Sequence, residues 1–308
     1  MNRLTGILPA GLLLLSLASA APAGSRSETI VLNAGEVIPV LADGKPAQLL
    51  ISPGEHATVT CTADFAKRIG LSGGARRSTE KIGPVLVEGT YDVADFRIGK
   101  TLVERAVFWP IKPYAMIADC MVGPDGLGNR TVRFELHPPQ PGERTVALPY
   151  ETPIGEDPSG IAYARVRVAD RWISVRFDPL RRETVATATA ALAIASANGG
   201  RLDGPVGHSE IFYGIERPVR RMLLADPLEI GPLSLDSLYV RVTDYGDARG
   251  IAAAPDPDEL AAGDILITGR KQKKIGELRL LRIGADQLDR CSSIVFDRPA
   301  REIRLTCH

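Results

Sequence analysis

Two short turns carry residue types able to do chemistry together. Ser52-Pro53-Gly54 and Asp178-Pro179-Leu180 each follow an apolar run, Leu49-Leu50-Ile51 in one case and Val175-Arg176-Phe177 in the other. Asp178 brings a carboxylate, which can take a proton from water or cap backbone N–H groups. Ser52 brings a hydroxyl, which titrates far above neutral and cannot stand in for a carboxylate as general acid or base. The proline in the middle of each turn removes a backbone donor, and Gly54 permits a close backbone approach that a Cβ would block. His56 is the one imidazole within a few positions of Ser52, so a Ser52–His56–Asp178 relay is a further, weaker arrangement. Gly207-His208-Ser209-Glu210-Ile211 lacks the final Gly of a nucleophile elbow. Arg181-Arg182 and Arg220-Arg221 could hold an acidic ligand, but paired arginines more often face solvent.

The four cysteines allow three pairings. Cys291 and Cys307 lie equally far from Pro299, at the turn of an expected hairpin, which suits a cross-hairpin disulfide; Cys61 would then pair with Cys120. There is no Cys-x-x-Cys, and the four His are scattered, so neither a metal nor a cofactor is expected. The 37 basic and 37 acidic residues balance, and nothing suggests a nucleic-acid face. The basic run Arg270-Lys271-Gln272-Lys273-Lys274 suits a solvated loop. Arg3, the apolar stretch Ile7 to Leu17 and the small residues before Ala20 form an export signal over residues 1–20, with an uncleaved anchor as the alternative. A secreted or periplasmic protein follows, with no membrane span once the signal is removed.

These turns need elements to hold them, and the chain supplies the same set twice. With a fixed offset, Leu49 to Gly54 aligns with Val175 to Leu180, and Thr58-Val59 with Thr184-Val185. Ala66 falls on Leu192 and Gly73-Gly74 on Gly199-Gly200. Each copy therefore runs strand, Pro turn, strand, short helix, glycine stop. Further on, Asp95 to Gly99 resembles Pro227 to Gly231, and each leads into an alternating strand. Both copies are expected to end in a hairpin, Val132–Leu136 with Thr145–Leu148 and Ser293–Phe296 with Glu302–Leu305. With 23 Pro and 30 Gly the chain favours short strands and turns. The expected boundaries are a lobe over 21–149, a Pro- and Gly-rich linker over 150–160 and a second lobe over 161–308. Gly246 to Gly263 reads as a long loop or short helix within the second copy.

The order of these parts, with a helix ending Ile69-Gly70-Leu71 and the late turn Pro124-Asp125-Gly126-Leu127-Gly128, resembles the retropepsin-like and pepsin-like aspartic peptidases. The resemblance implies a mainly β molecule, with two similar barrel-like lobes, a central cleft, short helices and a flap from about Lys81 to Ile98. It also implies two carboxylates sharing a proton around a water, one from each lobe. Ser52 stands where one acid belongs, and Asp178-Pro179-Leu180 keeps its acid but loses the hydroxyl and the glycine. Asp125 is expected to be structural. Asp178 is thus left without a carboxylate partner. The expected function is a catalytically inactive, exported pseudo-peptidase that holds an extended peptide or protein segment between its lobes. The alternative is an unorthodox aspartic endopeptidase using Asp178.

Overall fold

The computed structural model describes residues 29–71, 76–129, 131–151, 160–244, 246–253 and 278–308. Strand β1 (Thr29–Asn33) precedes the first copy. That copy begins with β2 (Val37–Ala42), β3 (Lys45–Ile51), β4 (Val59–Cys61) and helix α1 (Ala63–Ile69). It continues through β5 (Arg76–Ile82), β6 (Val85–Ile98), β7 (Thr101–Pro110), β8 (Cys120–Val122) and β9 (Thr131–Glu135). Strand β10 (Arg144–Glu151) leads into the second copy, β11 (Tyr163–Val168), β12 (Arg171–Phe177), β13 (Val185–Ala186) and helix α2 (Ala188–Asn198). Then follow β14 (Arg201–Phe212), β15 (Ile215–Ile230), β16 (Leu233–Arg241) and β17 (Ala252–Ala253). The chain closes with β18 (Leu280–Ile283), helix α3 (Ala285–Leu288), β19 (Cys291–Asp297) and β20 (Glu302–Cys307).

The fold is mainly β with a few short helices. In the first copy the order β2-β3-β8-β4-β7-β6 closes on itself through a β2–β6 pairing, which makes a six-stranded barrel, and β5 extends it as one arm of a hairpin. The second copy repeats the order β11-β12-β18-β13-β16-β15-β14 as part of a 13-stranded sheet. Buried residues alternate with exposed ones along much of β6 and with half-buried ones along β20, the pattern of strands with one face in the core. The main core runs without a break through both copies.

Local signals set the ends of these elements. Asp43 and Gly44 both adopt positive φ in the two-residue β2–β3 turn, the backbone a tight right-twisted hairpin needs. The hydroxyls of Thr62 and Thr187 accept the Phe65 and Ala190 N–H groups, which caps α1 and α2 alike. Gly70 and Gly199 end those helices in the left-handed conformation. The second copy of the expected Gly-Gly stop thus falls at the end of α2; Gly73-Gly74 lie outside the described residues, as do most of the 150–160 linker, the 270–274 basic run and residues 254–263 of the expected long loop.

One expectation is overturned. β9 and β10 do not pair as a hairpin; the β19–β20 hairpin lies between them, antiparallel to β9 on one side and to β10 on the other. The eight-residue connection Leu136–Glu143, with three prolines, is too long and stiff for a tight turn. It carries the chain past two intervening strands. The central layer β1-β9-β19-β20-β10-β11 is consequently woven from both copies. The disulfides are Cys61–Cys120, which ties β4 to β8, and Cys291–Cys307, which ties β19 to β20.

Candidate functional site

The two turns are built alike and meet face to face. Ser52 N–H donates to Val122 O at 3.1 Å, and Asp178 N–H donates to Ile283 O at 2.9 Å, so each turn hangs from the same strand of its own copy. Gly54 N–H donates to Ser52 Oγ (3.4 Å), as Leu180 N–H does to Asp178 Oδ1 (3.2 Å). Glu55 and Arg181 then close the turns by donating their N–H groups to Ser52 O and Asp178 O, both at 3.2 Å. Pro53 and Pro179 occupy the middle positions, and Leu180 packs over Gly35. Contact between the turns falls at Gly54. A Cβ there would lie 2.6 Å from Asp178 Oδ2 and overlap the rest of that carboxyl, so only glycine lets the turns close.

A second acid, Glu55, stands three residues after Ser52 in the same turn. Glu55 is buried, and burial pushes its carboxyl up to about 8, with the charge of Asp178 the next largest influence in the same direction. Glu210 and Glu80 add to this rise, while Arg181 opposes it. Among the described residues Glu55 Oε2 has no hydrogen-bond partner. At neutral pH Glu55 therefore keeps its proton. Asp178 is itself buried, with Arg181 Nε 3.8 Å from its Oδ2, and Arg181 Nη1 reaches Glu210 Oε2 at 2.7 Å. Arg181 is thus committed to the site and does not face solvent as expected. Arg220 is also buried and donates to Gly204 O.

The remaining candidates separate clearly. Ser52 Oγ accepts within its own turn, and the His56 ring lies edge-on to Phe212 at 4.7 Å. Asp125 accepts the Tyr150 hydroxyl and lies 3.6 Å from Arg298 Nε, which makes it a fastening between the late turn and the central layer. Its counterpart in the second copy is Asp286, unnoticed in the sequence, which accepts both the Thr184 N–H (3.0 Å) and its hydroxyl (2.6 Å). Ile283-Gly284-Ala285-Asp286 answers Val122-Gly123-Pro124-Asp125 at the same place in the fold, a signal legible in the residues.

Two hairpins cross from one copy to the other. The expected flap is β5–β6, which begins at Arg76 and turns at Gly83-Pro84. A Cβ at Gly83 would lie 2.7 Å from Asp244 Oδ2 and 2.9 Å from Arg241 Nη2, so the tip rests on a buried ion-pair cluster of the second copy. Arg217 and Arg241 both bond Asp244 there, the former at 2.8 and 2.9 Å. The corresponding hairpin, β14–β15, reaches the other way. Its tip residues Phe212 and Tyr213 pack among Leu50, Ile82, Val87, Phe108 and Met121 in an apolar cluster apart from the main core. Tyr213 Oη donates to Glu80 Oε2 (2.8 Å) and lies 3.3 Å from Thr60 Oγ1.

The chain matches no protein-family model and no curated protein. Among solved structures it is similar to the EIAV protease complexed with the inhibitor HBY-793, at 19% identity over 29% of this chain and 82% of that one, with a TM-score of 0.23. It is also similar to edgp, at 11% identity over 87% of this chain and 90% of that one, with a TM-score of 0.37. Likenesses this distant leave the fold to the chain's own strand pairings and the chemistry to its own side chains. No described helix is long and apolar enough to cross a membrane, and no described cluster has the makings of a metal site.

Proposed function

We propose that this protein is an exported acid hydrolase of the aspartic-peptidase kind, in which Glu55 and Asp178 share one proton and cleave an extended polypeptide lying between the lobes. The observation that carries the reading is Glu55: a buried carboxyl whose Oε2 has no hydrogen-bond partner among the described residues, pushed up to about 8 by burial and by the charge of Asp178. Such a group costs stability wherever it is merely structural, and perturbed acids of this sort gather at functional sites. Asp178 takes a proton from the attacking water, and Glu55 donates its own to the amide carbonyl. The turns, with both hairpins drawn back, would present the pair to substrate. Two disulfides suit an oxidising compartment.

The test is cleavage of a mixed peptide library by the purified protein from pH 3 to 9, compared with Glu55→Gln and Asp178→Asn. Cleavage should fall as pH rises through about 8, where Glu55 gives up its proton, and either substitution should abolish it. Cleavage that survives both substitutions would overturn the assignment.

A second reading has its own support. Ser52 Oγ and Asp178 Oδ1 both serve their own turns, and Phe212 and Tyr213 fill part of the cleft. A catalytically inactive protein that holds an extended peptide there would show no cleavage at any pH, together with peptide binding that is lost when the cleft is blocked.

A further inference from the structure

A partly open cavity of about 60 Å³ adjoins Asp178 on the side of the second copy. A water needs about 10–15 Å³ of such space, so the cavity has room for about five waters or one short side chain. Its walls are mostly apolar, formed by Ile161, Val185, Ile211 and Leu280, and its polar groups include three arginines, Arg176, Arg241 and Arg282, against the two carboxylates of Asp178 and Glu210. Arg181 already pairs with Glu210, at 2.7 Å. Arg241 already pairs with Asp244.

Arg282 is the informative group. Nη1 donates to Glu210 O (2.8 Å) and Ile211 O (3.2 Å), and Nη2 to Ser209 Oγ (3.4 Å). These bonds hold the guanidinium fixed, yet its Nε is buried with no hydrogen-bond partner among the described residues. Burial and the neighbouring Arg181 and Arg241 lower its hold on its proton, while the charge of Asp178 raises it. A buried N–H of a cation left without an acceptor carries a full desolvation penalty, which an incoming anion relieves.

We infer that this cavity is a carboxylate subsite, in which an acidic side chain of the bound polypeptide places its methylene stem against Val185 and Leu280 and its carboxylate on Arg282. The inference rests on the proposal that a polypeptide occupies the cleft, and it makes that ligand acidic near the residues facing Asp178. A planar carboxylate suits guanidinium groups, and the short apolar walls suit one or two methylenes. Neutral side chains of the same size leave the guanidinium unanswered and bind less well.

The experiment uses propionate as probe, titrated into the purified protein at pH 7 and followed by ligand-observed NMR, with propionamide as the uncharged twin. Saturable propionate binding is expected, with propionamide at least tenfold weaker. Arg282→Gln should weaken propionate at least tenfold. Because Arg282 also holds backbone carbonyls, Val185→Phe serves as a second variant, filling the space and touching no charge; it too should abolish binding. An N-acetylated, C-amidated peptide with one Glu should displace propionate where its Gln twin does not. Absent binding, equal binding of propionamide, or unchanged affinity in the folded variants would overturn the subsite. A Gln peptide that competes only with a free C-terminus would overturn the side-chain assignment. Propionate binding without cleavage of any peptide would keep the subsite and remove the peptidase reading; cleavage without propionate binding would do the reverse.

Discussion

Glu55 follows Ser52 by three residues as Arg181 follows Asp178, so one position of the repeated turn holds an acid in one copy and a base in the other. The four side chains at these places are a hydroxyl, two acids and a guanidinium, and the two acids stand diagonally in the repeat, with the charge of Asp178 bearing on Glu55. This has a consequence for stability. Glu55 binds its proton up to about pH 8 when folded but only to about 4.5 when unfolded. Between those values the folded state holds more protons, so stability falls as pH rises and levels off above 8, by about 5 kcal/mol at most. Glu55→Gln should remove that slope, leaving the variant more stable than the parent at pH 8.5 and close to it at pH 4. Urea midpoints at the two pH values measure this, and parallel slopes would show that Glu55 is not buried as an acid. Gly54→Ala drives a methyl into the Asp178 carboxyl and should cost about 1–3 kcal/mol, read as a lower urea midpoint. Asp178 could be found from its place after an apolar strand. Glu55 could not, because nothing in its neighbours announces that a turn 120-odd residues away will cover it.

Strands, turns and helices are where the sequence speaks most plainly. Turn residues with positive φ, threonine caps and glycine stops all act over three or four positions, so Asp43-Gly44, Thr62, Gly70, Thr187 and Gly199 announce their elements locally. The order of the two copies was legible in the fixed offset that lays Leu49 to Gly54 on Val175 to Leu180. Pairing between distant strands is another matter: the alternation in β9 and β10 is equally compatible with a hairpin and with two strands parted by β19 and β20. Only the length and stiffness of the 136–143 connection hinted at the second. Cystines add long-range constraints of unequal weight. Cys61–Cys120 spans 59 positions and Cys291–Cys307 spans 16. In the chain-entropy account the former stabilises by about 4 kcal/mol and the latter by about 3 kcal/mol. Paired Cys→Ala substitutions, compared by denaturant unfolding, should rank in that order. The reverse ranking would mean that the β4–β8 tie contributes less than loop closure requires.

The two lobes hold each other shut. The β5–β6 tip sits on Arg241 and Asp244 of the second copy, while the β14–β15 tip buries Phe212 and Tyr213 in the first. Neither hairpin can lift without uncovering groups that the opposite lobe has desolvated: an ion-pair cluster under Gly83, and an apolar pocket with the Glu80–Tyr213 bond under the other tip. Ile82, at the end of β5, belongs to the same apolar cluster as Phe212, so the two hairpins share a contact as well as a purpose. Opening should then be a joint event. Phe212→Ala leaves a void beneath Ile82 and Val87 and should cost about 3 kcal/mol, the lower end for loss of a buried phenylalanine, because this cluster lies apart from the main core. Amide exchange should quicken in β5–β6 as well as in β14–β15, while the central β19–β20 pair stays protected. The cleft would be open for a larger share of the time, and peptide binding should tighten by the same factor as the open population grows. Faster exchange confined to β14–β15, with peptide affinity unchanged, would mean that each lobe opens on its own and that Phe212 merely fills space.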